Sequence, residues 1–262
     1  MSEVLGLDVS HYQGKIDWKQ VKAAGRQFAI MKCMYEAQSH RKDETFEQNY
    51  REAGIYGLSR GVYIFIASAS IGDPEGDAKA LLAHLNGRPL EYGIWLDLEA
   101  QVLRNQGKDK IRQMAYIYKD IFNAAGYYVG IYCNKDWYEN VIHKDLKVDF
   151  DFWIARYPKQ DDGIYKPTSP LKPKYMRVVA WQYSSKGHVP GINGNVDLDV
   201  DYDGVVKLIA QEPRWRTNEE IAKEVWAGKW GSAKTKPSRR ELLTLAGYDY
   251  DAIQKIVNNM KR

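Results

Sequence analysis

At 262 residues, 44% hydrophobic and 27% charged, the chain is long enough for one large domain plus a small one and has the make-up of an ordinary globular protein. Its formal net charge of +4 is small for that length; with no basic run and no recognised motif, nucleic acid is excluded as a partner, and no stretch is apolar and long enough to span a membrane. The 19 Tyr and 8 Trp against 6 Phe supply flat apolar faces with a polar edge, a chemistry that suits sugar rings as well as a core.

Short apolar strands recur from the start of the chain. They are predicted at 5–10 ("LGLDVS"), 28–35, 61–67, 92–99 ("YGIWLDLE"), 128–134, 150–157, 177–184 and 196–202 ("VDLDVDY"). Helical patterns fall between them at about 17–25, 43–56, 74–86, 108–125 and 135–142. Strand–helix alternation predicts a parallel sheet with helical crossovers, and eight such units in about 210 residues predict a (β/α)8-type barrel. The later connections are poor in helix: 158–176 is a Pro/Lys loop and 185–195 a Gly-rich turn. The fold class expected is therefore α/β, an irregular barrel with helices missing in its second half.

The composition shifts at "QEPRWR", 211–216, which reads as a linker. Beyond it, Thr217 and Glu220 form a capping-box pattern, Ile221, Val225 and Trp226 keep helical spacing, and two more short helices follow, divided at Gly247, with Asp249 capping the last. The domains expected are a barrel over 1–210 and a small all-α three-helix module over 217–262. Cys33 and Cys133 sit in apolar strands without metal or redox spacing and read as core thiols. "VLGLDVS" already reads as the first strand, so no signal peptide is visible and synthesis in a cytosol is expected.

In such barrels, functional side chains sit where strands end. Asp8 falls near the end of the first strand, Glu36 after the second, and Asp97 and Glu99 at the end of the fourth. Asp97 and Glu99 share a strand face, as do Asp197, Asp199 and Asp201. Tyr63 and Tyr132 lie near strand ends, and Trp181 and Tyr183 share a face of the seventh strand. Carboxyls framed by aromatic rings are what glycoside hydrolysis needs: a protonated acid for the leaving oxygen and anionic groups facing an oxocarbenium-like centre. Crowded carboxyls raise one another's pKa. The residues alone leave a hard-cation site or strand-end salt bridges open. The five His are scattered, so zinc is not expected; His11 reads as an ordinary turn residue.

Six segments, in order, carry a family resemblance. "GLDVSHYQGKIDW" (6–18), "WLDLE", "IYCN", "WIARY", "WQYS" and "GINGNVDLD" resemble the motifs of family-25 glycoside hydrolases, lysozymes that cleave peptidoglycan. The resemblance spans about residues 4–207. It implies an incomplete (β/α) barrel and N-acetylmuramidase activity on the β-1,4 bond from N-acetylmuramic acid to N-acetylglucosamine, with no cofactor and no metal. It implies Glu99 as general acid, Asp97 as its partner, Asp8 and Asp197 as the other site acids, and Tyr63, Tyr132, Trp181 and Tyr183 along the glycan groove. Two positions depart from the family pattern: Glu36 is displaced by one residue, and Asp199 stands where asparagine is usual. Retention, by a carboxylate nucleophile or by the substrate's own N-acetyl oxygen, is the expected outcome, with N-acetyl participation preferred.

Residues 217–262 resemble the three-helix wall-binding repeat of some phage lysozymes, with nine Lys/Arg against six Asp/Glu. Arg239, Arg240, Trp230 and Tyr248 are its candidate wall contacts, and Trp226 is read as core. Together these imply a phage endolysin, made in the host cytoplasm and acting on the wall after release, whose partner is bacterial peptidoglycan, with no nucleic acid and no membrane. A bacterial autolysin, an inactive wall-binding protein and an enzyme on another amino-sugar polymer are the alternatives. The oligomeric state stays open, a dimer being one way to supply a second repeat.

Overall fold

Alternate side chains of a strand face opposite ways, and in the computed structural model one of the two sets closes on itself. The structure describes residues 3–35, 40–202, 205, 217–228, 230, 232, 234, 238–245 and 248–260. Its strands are β1 (Val4–Val9), β2 (Phe28–Lys32), β3 (Ser59–Phe65), β4 (Ile94–Asp97), β5 (Val129–Asn134), β6 (Phe152–Ala155), β7 (Val178–Gly187) and β8 (Val196–Asp201). They hydrogen-bond in chain order into a closed barrel.

Neighbours run parallel from β1 to β7. The last strand departs from the parallel sheet expected, for β8 is antiparallel to both β7 and β1. The reason is the turn over 188–195: a parallel return needs a crossover of about a dozen residues or more, and this turn is shorter. The chain can only double back as a hairpin.

The helices of the barrel are α1 (Trp18–Ala23), α2 (Phe46–Ile55), α3 (Ser68–Gly72), α4 (Pro74–Leu85), α5 (Gln101–Arg104), α6 (Lys108–Ala124), α7 (Lys135–Asn140) and α8 (Lys144–Asp149). Several starts are fixed by short polar side chains. Asp17 accepts from the Gln20 N–H, Asp73 from the Gly76 N–H with Pro74 in the first turn, and Asn134 from the Trp137 N–H. Among the described residues no helix lies between β6 and β7 or between β7 and β8, so the later part of the barrel is wrapped by loops. No helix among them is long and apolar enough to cross a membrane.

Two apolar layers result. The outer one packs the outward side chains of the sheet, such as Leu7, Ile64, Leu96 and Leu198, against the helices, and it contains Cys33 and Cys133, both buried free thiols. The inner one is aromatic. Phe28 stacks on Tyr92 with ring centres 4.2 Å apart, Trp95 meets Trp153 edge-on at 5.9 Å, and Tyr132 lies 4.4 Å from Trp153. Rings of this size fit inside eight strands only if facing positions are small. A Cβ on Gly6 would fall 2.4 Å from the Phe28 ring, and one on Gly130 2.4 Å from Trp95.

The carboxy-terminal module contains α9 (Asn218–Trp226), α10 (Arg239–Leu245) and α11 (Tyr250–Asn259). The Thr217–Glu220 capping box forms in both directions, and Asp249 accepts from the Ala252 N–H. Ile221, Val225, Leu243, Ile253 and Val257 are buried. Three expectations change here. Trp226 is 53% exposed rather than core, because it lies one residue past the buried Ile221–Val225 stripe. Trp230 and Tyr248 are buried and meet edge-on at 5.9 Å, and the Trp230 indole donates to Glu224, so neither ring is displayed toward a wall polymer. Arg240 is exposed, paired with Asp251 at 2.7 Å and seated over the Tyr250 ring; Arg239 donates to Gln254. The proposed linker 211–216, Glu36 and Gly247 lie outside the described residues.

Replacing Gly130 by alanine should cost about 1–3 kcal/mol, because the new methyl group collides with the Trp95 ring in a filled interior. Urea unfolding followed by fluorescence measures it; wild-type stability in that variant would contradict the packing described.

Candidate active site

The inward side chains at one end of the barrel are not aromatic filler. Asp8 of β1, Tyr63 of β3, Asp97 of β4, Glu99 just beyond it, Tyr132 of β5, Trp153 of β6, Gln182 of β7 and Asp197 of β8 line one open cavity of about 350 Å³. Because β8 runs backwards, its first residues lie at this mouth: Asp8 is paired with Asp197, Gly6 with Asp199 and Val4 with Asp201. The acids of β8 share the inward face as expected, yet only Asp197 reaches the cavity. Asp199 and Asp201 descend toward the far end, both buried.

Carboxyls in such a place lose water and repel one another. Glu99 keeps contact with solvent at the rim, and burial of its carboxyl pushes its pKa up. Burial, then the charges of Glu99 and Asp161, lift Asp197 from an ordinary 3.8 to about 6. Asp8 is raised well above the usual range, by burial first and then by Asp197 and Asp199. Asp199, wholly buried, is raised by burial and by Asp197, while its Oδ1 accepts from the Trp153 indole at 2.9 Å. Tyr63 is held protonated by burial and by the charges of Asp8, Asp97, Asp197 and Asp43, which puts Asp43 within electrostatic reach of the same wall. Burial and crowding therefore hold the Glu99, Asp197 and Asp8 carboxyls above the usual carboxylate range.

One residue that sequence reasoning passed over organises the floor. The Gln182 carbonyl accepts from the Tyr132 hydroxyl at 2.8 Å and from the Tyr157 hydroxyl. Phenol donors on both approaches fix the amide orientation, so its NH2 group donates to Asp8 Oδ2 at 2.6 Å. That donor favours the ionised form of Asp8 and holds it in one rotamer. Trp153 and Tyr157 were missed as well. The signal was strand parity in "FWIARY" and "WQYS": the inward set is Trp153, Ala155, Ala180 and Gln182.

The same parity corrects two expected groove residues. Trp181 and Tyr183 do share a face, but it is the outer one. Trp181 donates its indole N–H to the Arg156 carbonyl at 2.9 Å, Tyr183 receives a bond from Arg26, and both rings pack with Tyr165 outside the barrel. With Trp95, Tyr132 and Trp153 already filling the interior, the inward positions of β7 have room for Ala180, not for an indole. Tyr63 and Tyr132 line the cavity. His11 stands in a 3-10 turn outside it, bonded to Asp43 at 3.1 Å. Among the described residues no three His, Cys, Asp or Glu side chains converge so as to hold a metal ion.

The chain is similar to known proteins over most of its length. Residues 7–192 match the model of glycosyl hydrolases family 25, and residues 219–260 match that of the CW_7 repeat. Lysozyme M1 of Streptomyces globisporus is 28% identical over 235 residues, covering 80% of this chain and 71% of that one. The autolytic lysozyme of Clostridium acetobutylicum is 28% identical over 201 residues, and this chain spans 56% of its length and 77% of its own. The catalytic domain of endolysin ply40, from bacteriophage P40 of Listeria monocytogenes, shares the fold with a TM-score of 0.60 at 22% identity, over 79% of this chain and 97% of that one.

The raised carboxyls make a stability prediction. Asp197 binds its proton more tightly folded than unfolded, so its contribution is full below pH 3.8 and is lost as pH rises through about 6. Asp197→Asn should raise the melting temperature at pH 7 by a few degrees, the effect of roughly 1–2 kcal/mol, and by much less at pH 4. Equal shifts at both pH values, or none, would contradict this.

Proposed function

The chain belongs to family 25 of the glycosyl hydrolases, a peptidoglycan-lytic lysozyme family, and from that premise we propose that it cleaves the β-1,4 bond from N-acetylmuramic acid to N-acetylglucosamine. The observation that carries this reading is the convergence of Asp8, Asp97, Glu99 and Asp197 on one cavity, with the Glu99 pKa raised by burial. Glu99 donates its proton to the leaving glycosidic oxygen. Asp97, buried beside it at the end of β4, is the group that faces the charge developing at the anomeric carbon, and Asp8, clamped by Gln182, borders the same space. The N-acetyl oxygen of the muramic acid ring forms the first new bond to that carbon as the bond to the leaving oxygen breaks. The Glu99 carboxylate then takes a proton from the water that opens the resulting ring, which gives net retention. Asp197 borders the same cavity, its pKa lifted to about 6 by burial and by the Glu99 charge. Tyr63, Tyr132 and Trp153 are the walls for the sugar.

The biological setting we propose is that of a phage endolysin, made in the host cytoplasm and acting on the wall after release. The pairing of a lysozyme barrel with one CW_7 repeat supports it, as does the fold shared with a phage endolysin. The repeat would hold the barrel on its insoluble polymer and so raise the local substrate concentration. With Trp230 and Tyr248 in the module core, Arg240, Tyr250 and the exposed Trp226 are candidates for wall contact among the described residues.

Purified peptidoglycan, digested and analysed by mass spectrometry with and without borohydride reduction, should yield muramic acid at the new reducing ends. Glucosamine ends or free peptide stems would overturn the bond assignment. Glu99→Gln should lower turnover roughly 100- to 10,000-fold and leave wall binding intact. Retained turnover would remove Glu99 from its role. Deleting residues 217–262 should lower lysis of whole walls on the order of 100-fold while sparing cleavage of short glycan strands. Equal effects on both substrates would mean that the module serves folding rather than tethering.

A further inference from the structure

Tyr12 stands in the turn that follows β1, the strand that brings Asp8 to the cavity, and it is 83% exposed. An exposed ring on a loose loop would carry no argument, but this one is fixed from every side. Ser10 Oγ accepts from the Tyr12 N–H at 3.3 Å, and the Ser10 N–H donates to Gln13 Oε1 at 2.9 Å. The Gln13 amide donates to the carbonyl of Asn195, two residues ahead of Asp197, so the turn is tied to the start of the neighbouring strand β8. On its other flank the His11 ring lies 4.1 Å from the Tyr12 ring and is itself anchored: both its backbone N–H and its Nδ1 reach Oδ2 of Asp43, a carboxylate with no solvent exposure. Behind His11 stands Tyr35 at 5.2 Å, bonded to Glu44 and flanked by Lys32 and Arg41.

The turn is thus a braced platform whose outermost surface is one aromatic face. Tyr12 is four residues from Asp8, and a chain of that length reaches at most about 14 Å. The cations nearby are engaged away from this ring: Arg41 pairs with Glu44, and Lys32 and Arg41 lie over Tyr35. What the platform offers a ligand is therefore an uncharged, preorganised ring with a polar tip, which loses little entropy on contact. The apolar C–H face of a pyranose fits that surface; a carboxylate-bearing peptide does not.

We propose that Tyr12 is a binding subsite for a sugar ring of the glycan strand lying beyond the scissile bond. The proposal rests on the muramidase reading of the cavity and adds strand length to what the enzyme recognises. Peptide-free peptidoglycan strands of four and eight sugars are the probes, with the full chain as enzyme. The wild type should prefer the octasaccharide. Tyr12→Ala should lose about 10-fold in kcat/KM on the octasaccharide, through KM with kcat unchanged, and should match the wild type on the tetrasaccharide. Tyr12→Trp should keep the preference. An alanine variant with full octasaccharide activity overturns the subsite, and so does an equal loss on both lengths, which would place the ring's effect in the cavity or the fold. A loss seen only on strands that keep their peptides also overturns it, since the ring would then read the stem. A wild type that cleaves both strands isolates these outcomes from the activity itself. One that cleaves neither overturns the muramidase reading and the subsite with it.

Discussion

The protein depends on an aromatic plug beneath a ring of acids. Phe28, Tyr92, Trp95 and Trp153 fill the barrel, so the carboxyls above them have water on one side only. That asymmetry is what raises Glu99, Asp8 and Asp197, and it needs no cation and no large movement. The plug in turn depends on glycine at positions 6 and 130, where even a methyl group would collide. Two residues without side chains thus stand behind the acid–base chemistry of a site that they do not touch. The cost is stability: a cavity holding several acids is a place where the fold tolerates repulsion in return for a proton held near neutral pH.

Much of this was legible in the sequence because alternation is a strong signal. In "GIWLDLEA" alternation puts Asp97 and Glu99 on one face of one strand, and the structure shows Trp95 of that face packed in the barrel interior beneath them. The acids of β8 were legible in the same way. What alternation does not carry is direction or sign. Nothing in "VDLDVD" says that the strand runs antiparallel, and it is the family resemblance, not alternation, that singles out its first aspartate as the partner of Asp8. In "AWQYS" both faces carry plausible residues, and the larger aromatic pair drew the inward reading away from Ala180 and Gln182. Only the volume already taken by Trp95, Tyr132 and Trp153 decides between them.

The helical module repeats the lesson with a period of 3.6. Ile221 and Val225 are four apart and buried, and Trp226, one step further round, turns outward. Trp230 has no periodic context of its own and owes its burial to Tyr248 and to the Glu224 acceptor, contacts made across the fold. Polar hubs are equally hard to foresee. Gln182 draws on three partners from β1, β5 and the loop after β6, none near it in sequence.

The reversed final strand also decides where the chain leaves the barrel. Asp201 is paired with Val4, at the end remote from the cavity, and Val205 packs into the inner apolar cluster there. A parallel eighth strand would have delivered the following segment across the mouth. As built, the eighth strand finishes at the rear, and the mouth is bordered by the turn that leads into it. The orientation of a single hairpin thus separates the end of the barrel that holds the acids from the end at which its last strand finishes.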